Sequence, residues 1–128
     1  MRPLEIRWHR LVADGRTCDR CGSTGREVER AVATLRAALA PLGIEPVLET
    51  VELDDSTFRA RPSLSNEIWV NGRLLDDWLS ATTGSSTCCS VCGDAPCRTV
   101  QIGEKVFETI PERLLVRAGL LAAAAMLE

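Results

Sequence analysis

Apolar and polar positions alternate at the start of the chain. Leu4, Ile6 and Trp8 are separated by Glu5 and Arg7, His9 comes next, and Leu11-Val12 close the run. A period of two predicts a half-buried first strand. Ala13 to Thr17, holding Asp14-Gly15, reads as a polar turn. From about Thr24 the period lengthens: Val28, Val32, Leu35, Leu39 and Leu42 fall on one helical stripe, with Arg26, Glu29, Arg30 and Arg36 off it. Pro41 and Gly43 end this helix.

Ile44 to Leu53 reads as a second strand, with Val47, Val51 and Leu53 sharing a face. Asp54-Asp55-Ser56 can cap a short helical turn in an irregular segment that runs to Ser65. In Asn66 to Leu75, two apolar runs meet at Asn71-Gly72, a strong hairpin signal. Asp76-Asp77-Trp78-Leu79 opens a short helix, its acids read as solvated charge. Ser80 to Thr87 is small and polar, which predicts a flexible approach to the residues beyond Thr87. Thr99 to Glu108 predicts another hairpin, turning at Gly103-Glu104. Thr109-Ile110-Pro111-Glu112 has the form of a capping box. It opens a final helix with Leu114, Ala118, Leu121 and Ala125 on its apolar stripe. No internal repeat or long linker divides the chain, so residues 1–128 read as a single α/β domain.

Composition narrows the function classes. With 45% hydrophobic and 26% charged residues, the chain has the balance of a soluble globular domain. A net charge of −3 argues against general nucleic-acid binding. The apolar run Ala118 to Leu127 would rise only about 15 Å as a helix, too short to span a bilayer. Met1 to Leu11 has no continuous apolar core of a secretory signal, so a cytoplasmic address is expected. In a reducing compartment, close-spaced cysteines point to catalysis, redox sensing or metal binding rather than to stapling disulfides.

Cysteine is where the chemistry concentrates. Six Cys fall in two groups: Cys18 and Cys21, then Cys88, Cys89, Cys92 and Cys97. Cys18-Asp19-Arg20-Cys21 stands between the first strand and an amphipathic helix. A helix start offers free N–H groups and the positive end of the dipole, both of which stabilise a thiolate. Cys18 as nucleophile and Cys21 as resolving thiol would suit thiol–disulfide exchange. The same spacing also grips one soft metal ion, or forms half of a structural metal site.

These residues resemble the thioredoxin superfamily over Leu4 to about Leu79 and the last helix. Asn66-Glu67-Ile68-Trp69-Val70-Asn71-Gly72 is similar to the glutaredoxin-type segment in which a cis-proline precedes a strand ending in Asn-Gly. The resemblance implies a thioredoxin-like sheet flanked by helices and puts Cys18 and Cys21 at the catalytic positions. Asn66 stands where the proline would be, which leaves room for a ligand or metal beside the pair. Asn66 itself offers an amide there, although a strand-start Asn is the plainer interpretation. The chain is also similar to a small bacterial and archaeal family classed as a domain of unknown function within the thioredoxin-like group. Its members share the first Cys-x-x-Cys, the Ser-Asn before the third strand, and a downstream stretch like Cys92-Gly93-Asp94-Ala95-Pro96-Cys97-Arg98-Thr99-Val100.

The second group lies on a Cys-rich insertion at about residues 80–98, which a thioredoxin-like core does not need. Four Cys within ten residues are unusual for packing, since buried structural Cys generally occur singly. Cys89, Cys92 and Cys97 can form one face of a thiolate site, with Cys88 completing it or free. That site suits zinc, mercury, copper(I) or arsenite. A loop thiol could instead relay electrons to a Cys18–Cys21 disulfide, or the cluster could simply pin the insertion. His9, the single His, is a second accessory candidate; a lone strand His is more often solvated or hydrogen-bonded than catalytic. Trp69 and Trp78 read as packing.

Three functions are consistent with this pattern. The first is a thiol–disulfide oxidoreductase using Cys18 and Cys21, with a redox partner protein and an accessory cluster. The second is a soft-metal-binding protein without catalysis, and the third an interaction domain with structural zinc. No nucleic-acid or membrane partner is expected. The small residues Ala122 to Ala125 would permit close helix contact in a homodimer.

Overall fold

The computed structural model describes residues 1–11, 19–61, 64, 66–87 and 96–127. The chain is a mixed α/β fold with two sheets. Its elements are β1 (Arg2–Leu11), α1 (Asp19–Leu39), β2 (Ile44–Leu53), α2 (Asp55–Ala60), β3 (Ile68–Val70), β4 (Arg73–Leu74), α3 (Leu75–Trp78), β5 (Thr82–Thr87), β6 (Pro96–Ile102), β7 (Lys105–Phe107) and α4 (Glu112–Met126). The first sheet has the order β2-β1-β3-β4. β1 and β2 are parallel, and β3 runs against both β1 and β4. The second sheet, β5-β6-β7, is antiparallel throughout.

The alternation in β1 is realised as expected: Leu4, Ile6 and Trp8 are buried, and Glu5 and Arg7 are exposed. The buried face meets Val28, Val32, Leu35 and Leu39 of α1 and Leu114, Leu115, Ala118 and Ala122 of α4 in one core. Each fully buried Leu here contributes about 1.5–3 kcal/mol through removal from water. α1 and α4 come into close contact where Gly119 meets Leu35: a Cβ on Gly119 would lie 2.5 Å from Leu35 Cδ1. Gly43, with φ of 70°, ends the short 3₁₀ turn Ala40–Leu42 after α1.

Both expected hairpins form. Asn71 and Gly72 take positive φ of 49° and 77°, the two left-handed residues of a tight turn joining Val70 to Arg73. Asn71 also extends the β1–β3 ladder. Its N–H donates to Glu5 O, and its Oδ1 accepts from Glu5 N, both at 2.8 Å. The β6–β7 hairpin turns at Gly103-Glu104, with Ile102 opposite Lys105.

Several expectations are corrected. Leu42 is 49% exposed, because α1 has given way to the 3₁₀ turn and the helical period no longer applies. In β2, Val47 is 48% exposed, whereas Ile44 and Pro46 are buried; the inward face has the opposite parity at this end. In α4, Leu121 and Ala125 are exposed and the inner stripe is Leu114, Leu115, Ala118, Gly119, Ala122 and Ala123. Leu35 settles this rotation by packing against Gly119. The capping box does not form: Pro111 is the N-cap, without a side-chain hydrogen bond. Residues of α1 take its place. Glu27 Oε1 accepts from Glu112 N at 3.2 Å and Thr24 Oγ1 from Ile110 N at 3.3 Å. Finally, Thr82–Thr87 is no flexible approach but strand β5, paired residue for residue with β6 from Thr82↔Gln101 to Thr87↔Pro96. Its weak local propensity is overridden by the backbone partner that β6 supplies.

Among the described residues no helix is long and apolar enough to cross a membrane.

Candidate functional site

Two of the expected residues, His9 and Asn66, meet at the C-terminal end of β1. Beyond Ile68 the β1–β3 pairing continues through two main-chain bonds: His9 N donates to Glu67 O at 3.0 Å, and Asn66 N to His9 O at 2.8 Å. Asn66 takes a φ of 61°, a left-handed conformation that Asn tolerates better than most residues. It is 3% exposed, and its Oδ1 accepts from Trp8 Nε1 at 3.1 Å. The Trp8 ring lies against α1: a Cβ on Gly25 would meet its Cη2 at 2.5 Å. Asn66 is therefore linked, through one indole, to the helix turn that follows Cys21.

On the opposite face of β1 lies a buried charged network. Glu67 Oε1 accepts from Trp69 Nε1 at 2.6 Å and is 3.5 Å from His9 Nδ1. Glu67 Oε2 is 3.6 Å from Arg98 Nη1. Arg98 Nη2 donates to Asp76 Oδ2 at 2.9 Å and to Thr83 Oγ1 at 3.2 Å, and Thr83 Oγ1 donates to Asp76 Oδ2. Arg98 and Asp76 are almost fully enclosed, so each charge depends on the other for compensation. Burial pushes the His9 pKa below its ordinary 6.5; the attraction of Glu67 is the second influence and does not reverse it. His9 is accordingly neutral at pH 7, and its contact with Glu67 is not an ion pair.

The expected site residues divide between the described part of the chain and the rest. Cys18, Cys88, Cys89 and Cys92 lie outside the described residues. Cys21 is in the first turn of α1, and Cys97 is the second residue of β6, opposite Ser86. Each is connected through a neighbour to the segment that leads into α4. Thr24, three residues after Cys21, accepts from Ile110 N; Ser86 Oγ contacts Glu108 Oε1 at 3.2 Å, two residues before Ile110. A second bridge runs from Arg98, next to Cys97, through Glu67 to Asn66 and Trp8. Asn66 and His9 stand on neighbouring rungs at the end of the β1–β3 pairing.

The Asp76 expectation is corrected: it is a buried ion-pair partner, not solvated charge, because Arg98 arrives on β6 from the second sheet. The network of Glu67, Asp76, Thr83 and Arg98 had no short-range signature, since its members are brought together across up to 31 positions by strand pairing. The one legible hint was Arg98 itself, an Arg inside a strand pattern between Cys97 and Val100. Trp78 packs against the core as expected, its Nε1 donating to Val70 O at 2.8 Å. Trp69 does not join the core but lines a hollow with Glu5, Arg7, Val47 and Glu49, its Nε1 donating to Glu67. Among the described residues no group of three or more His, Cys, Asp or Glu is arranged to hold a metal ion.

The profile of the family described as a domain of unknown function, DUF2703, matches residues 4–119. The chain belongs to the DUF2703 family. An uncharacterized protein of Archaeoglobus fulgidus is 46% identical over 112 residues, covering 88% of this chain and 82% of its own length. No solved structure matches. The match to DUF2703 spans β1 through most of α4, so both sheets and both cysteine groups lie within the family's region.

Proposed function

We propose that this DUF2703 protein is a cytoplasmic thiol protein built on a thioredoxin-like core, exchanging disulfides through Cys18 and Cys21. Cys88, Cys89, Cys92 and Cys97 serve as its accessory element, for redox or for a thiophilic metal ion such as zinc. The observation that carries this reading is the β1–α1–β2 unit, with the Cys-x-x-Cys at its strand-to-helix passage. Around it stands a sheet ordered β2-β1-β3-β4 in which β3 runs against both of its neighbours. Support also comes from Asn66, which stands at the end of β1 where the resemblance expects the residue that flanks the redox pair.

The chemistry balances within the pair and its substrate. The Cys18 thiolate attacks one sulfur of a substrate disulfide, forming a mixed disulfide and releasing one substrate thiolate. The Cys21 thiolate then attacks Cys18 Sγ, forming the Cys18–Cys21 disulfide and releasing the second substrate thiol. The substrate gains two electrons, and a dithiol partner resets the pair. The N-terminal end of α1 favours the attacking thiolate.

The test is thiol titration with and without chelator, metal analysis, and a disulfide-reduction assay on wild type and Cys18→Ser. Reversible Cys18–Cys21 oxidation and loss of reduction in Cys18→Ser are expected. Reduction that is absent from the wild type, or unchanged in Cys18→Ser, overturns the proposal. The density of four Cys in ten residues favours soft-metal binding as the second reading, and stoichiometric metal without exchange activity would establish it.

A further inference from the structure

Asn66 is held in one orientation by its neighbour. An indole N–H is a donor only, so the Asn66 oxygen faces Trp8 and its Nδ2 must face away. That Nδ2 is buried and has no hydrogen-bond partner. Arg10 Nε, on the penultimate residue of β1, is also buried and unpartnered, although the Arg10 side chain as a whole is 34% exposed. Trp8 and Arg10 alternate on one strand and so share the face on which α1 packs. Two N–H donors without acceptors therefore lie beside Trp8, on the face of β1 that α1 covers.

Leaving a buried donor unmet is unfavourable, and native structures seldom do so without a ligand, water or functional reason. The surroundings indicate the sign of the missing acceptor. Arg10 is cationic, and the acid paired with it, Glu52, reaches Nη2 at 3.2 Å from an exposed position and leaves Nε unmet. We propose that Asn66 Nδ2 and Arg10 Nε form a subsite for an anionic oxygen, a carboxylate or an inorganic oxyanion, on the molecule that the thiol chemistry acts on. The assignment to a substrate rests on the thiol-exchange reading; the anion site does not.

The experiment is calorimetric titration of the reduced full chain with thiodiacetate, a dicarboxylate lacking any disulfide, and with sodium sulfate. Wild type is compared with Asn66→Asp, which keeps an oxygen for Trp8 but replaces the donor with a carboxylate that also repels an anion, so the uncharged Asn66→Gly decides the donor's share. Asn66→Gly keeps the left-handed backbone and also serves should the aspartate fail to fold. Binding to wild type is expected, weakened about tenfold or more in the variants through loss of a charge-assisted hydrogen bond. Binding of thiodiacetate alone assigns the acceptor to carboxylates, and binding of sulfate assigns it to oxyanions. No binding to wild type, or equal binding by both variants, overturns the subsite. Reduction of the neutral bis(2-hydroxyethyl) disulfide is measured in parallel. Exchange without anion binding overturns the subsite alone; anion binding without exchange overturns the thiol reading alone.

Discussion

Arg98 Nη2 lies 2.9 Å from Asp76 Oδ2, an enclosed ion pair joining a strand of the second sheet to the helix that follows the first. The same guanidinium approaches Glu67, the neighbour of Asn66. The β5–β6 pair, which carries Cys97, is therefore fastened to the end of β1 by charge as well as by apolar contact.

Removing one partner of this pair strands the other charge in a low-dielectric interior. Arg98→Met should destabilise the fold by about 3–5 kcal/mol, read as a lowered urea midpoint. Adding Asp76→Leu to Arg98→Met should recover part of the loss, because the orphaned carboxylate is then gone. A single-variant loss below about 1 kcal/mol would show that the pair contributes no more than a surface ion pair does.

Stability should depend on pH through His9. Its folded-state pKa lies below 6.5, so as pH falls through 6.5 the unfolded chain binds a proton before the folded one does. Stability is fully present above pH 6.5 and declines as pH falls toward the lower folded value. Glu67 and Glu49 oppose this shift, whereas Arg7 and Arg98 reinforce it. Urea midpoints from pH 8 to pH 5 should show the decline in wild type and its loss in His9→Gln. Asp54 acts in a separate, more acidic window. Thr57 N–H donates to its carboxylate, so its contribution is present above pH 3.8 and lost as pH falls through its depressed value.

Gly119→Ala should destabilise despite the better helix propensity of Ala. The new methyl would sit 2.5 Å and 2.8 Å from the two Leu35 methyls, and Leu35 is fully buried. Overpacking of about 1–3 kcal/mol should exceed a propensity gain of about 1 kcal/mol. Thermal denaturation reads the result, and a raised Tm would show that Leu35 has room to repack.

Replacing Cys89 and Cys92 together by Ser should leave exchange of small neutral disulfides at the first pair within about twofold, because that chemistry needs only Cys18 and Cys21. Any zinc bound by the wild type should be lost in the double variant, as determined by elemental analysis.

Much of the fold was legible where a period repeats over many residues. β1, α1 and the Asn71-Gly72 turn arise from alternation, a helical stripe and a dipeptide that suits positive φ. β5 was not legible, because Thr82 to Thr87 has no apolar alternation and exists as a strand through β6. The register of α4 was missed because Leu and Ala occupy every position from Leu120 to Ala125, so several stripes are equally apolar. For the site, the cysteines and Asn66 announce themselves by type and spacing. Glu67, Asp76 and Arg98 do not, because long-range pairing alone makes them neighbours.

Thr24 and Glu27, in α1, accept the N–H groups of Ile110 and Glu112, 86 and 85 residues away. Those two amide protons are thus built-in spectroscopic reporters. Their exchange rates and chemical shifts register whether the opening turns of α1 are formed, so the state of the segment beside Cys21 can be followed from the other end of the chain without a label on any thiol.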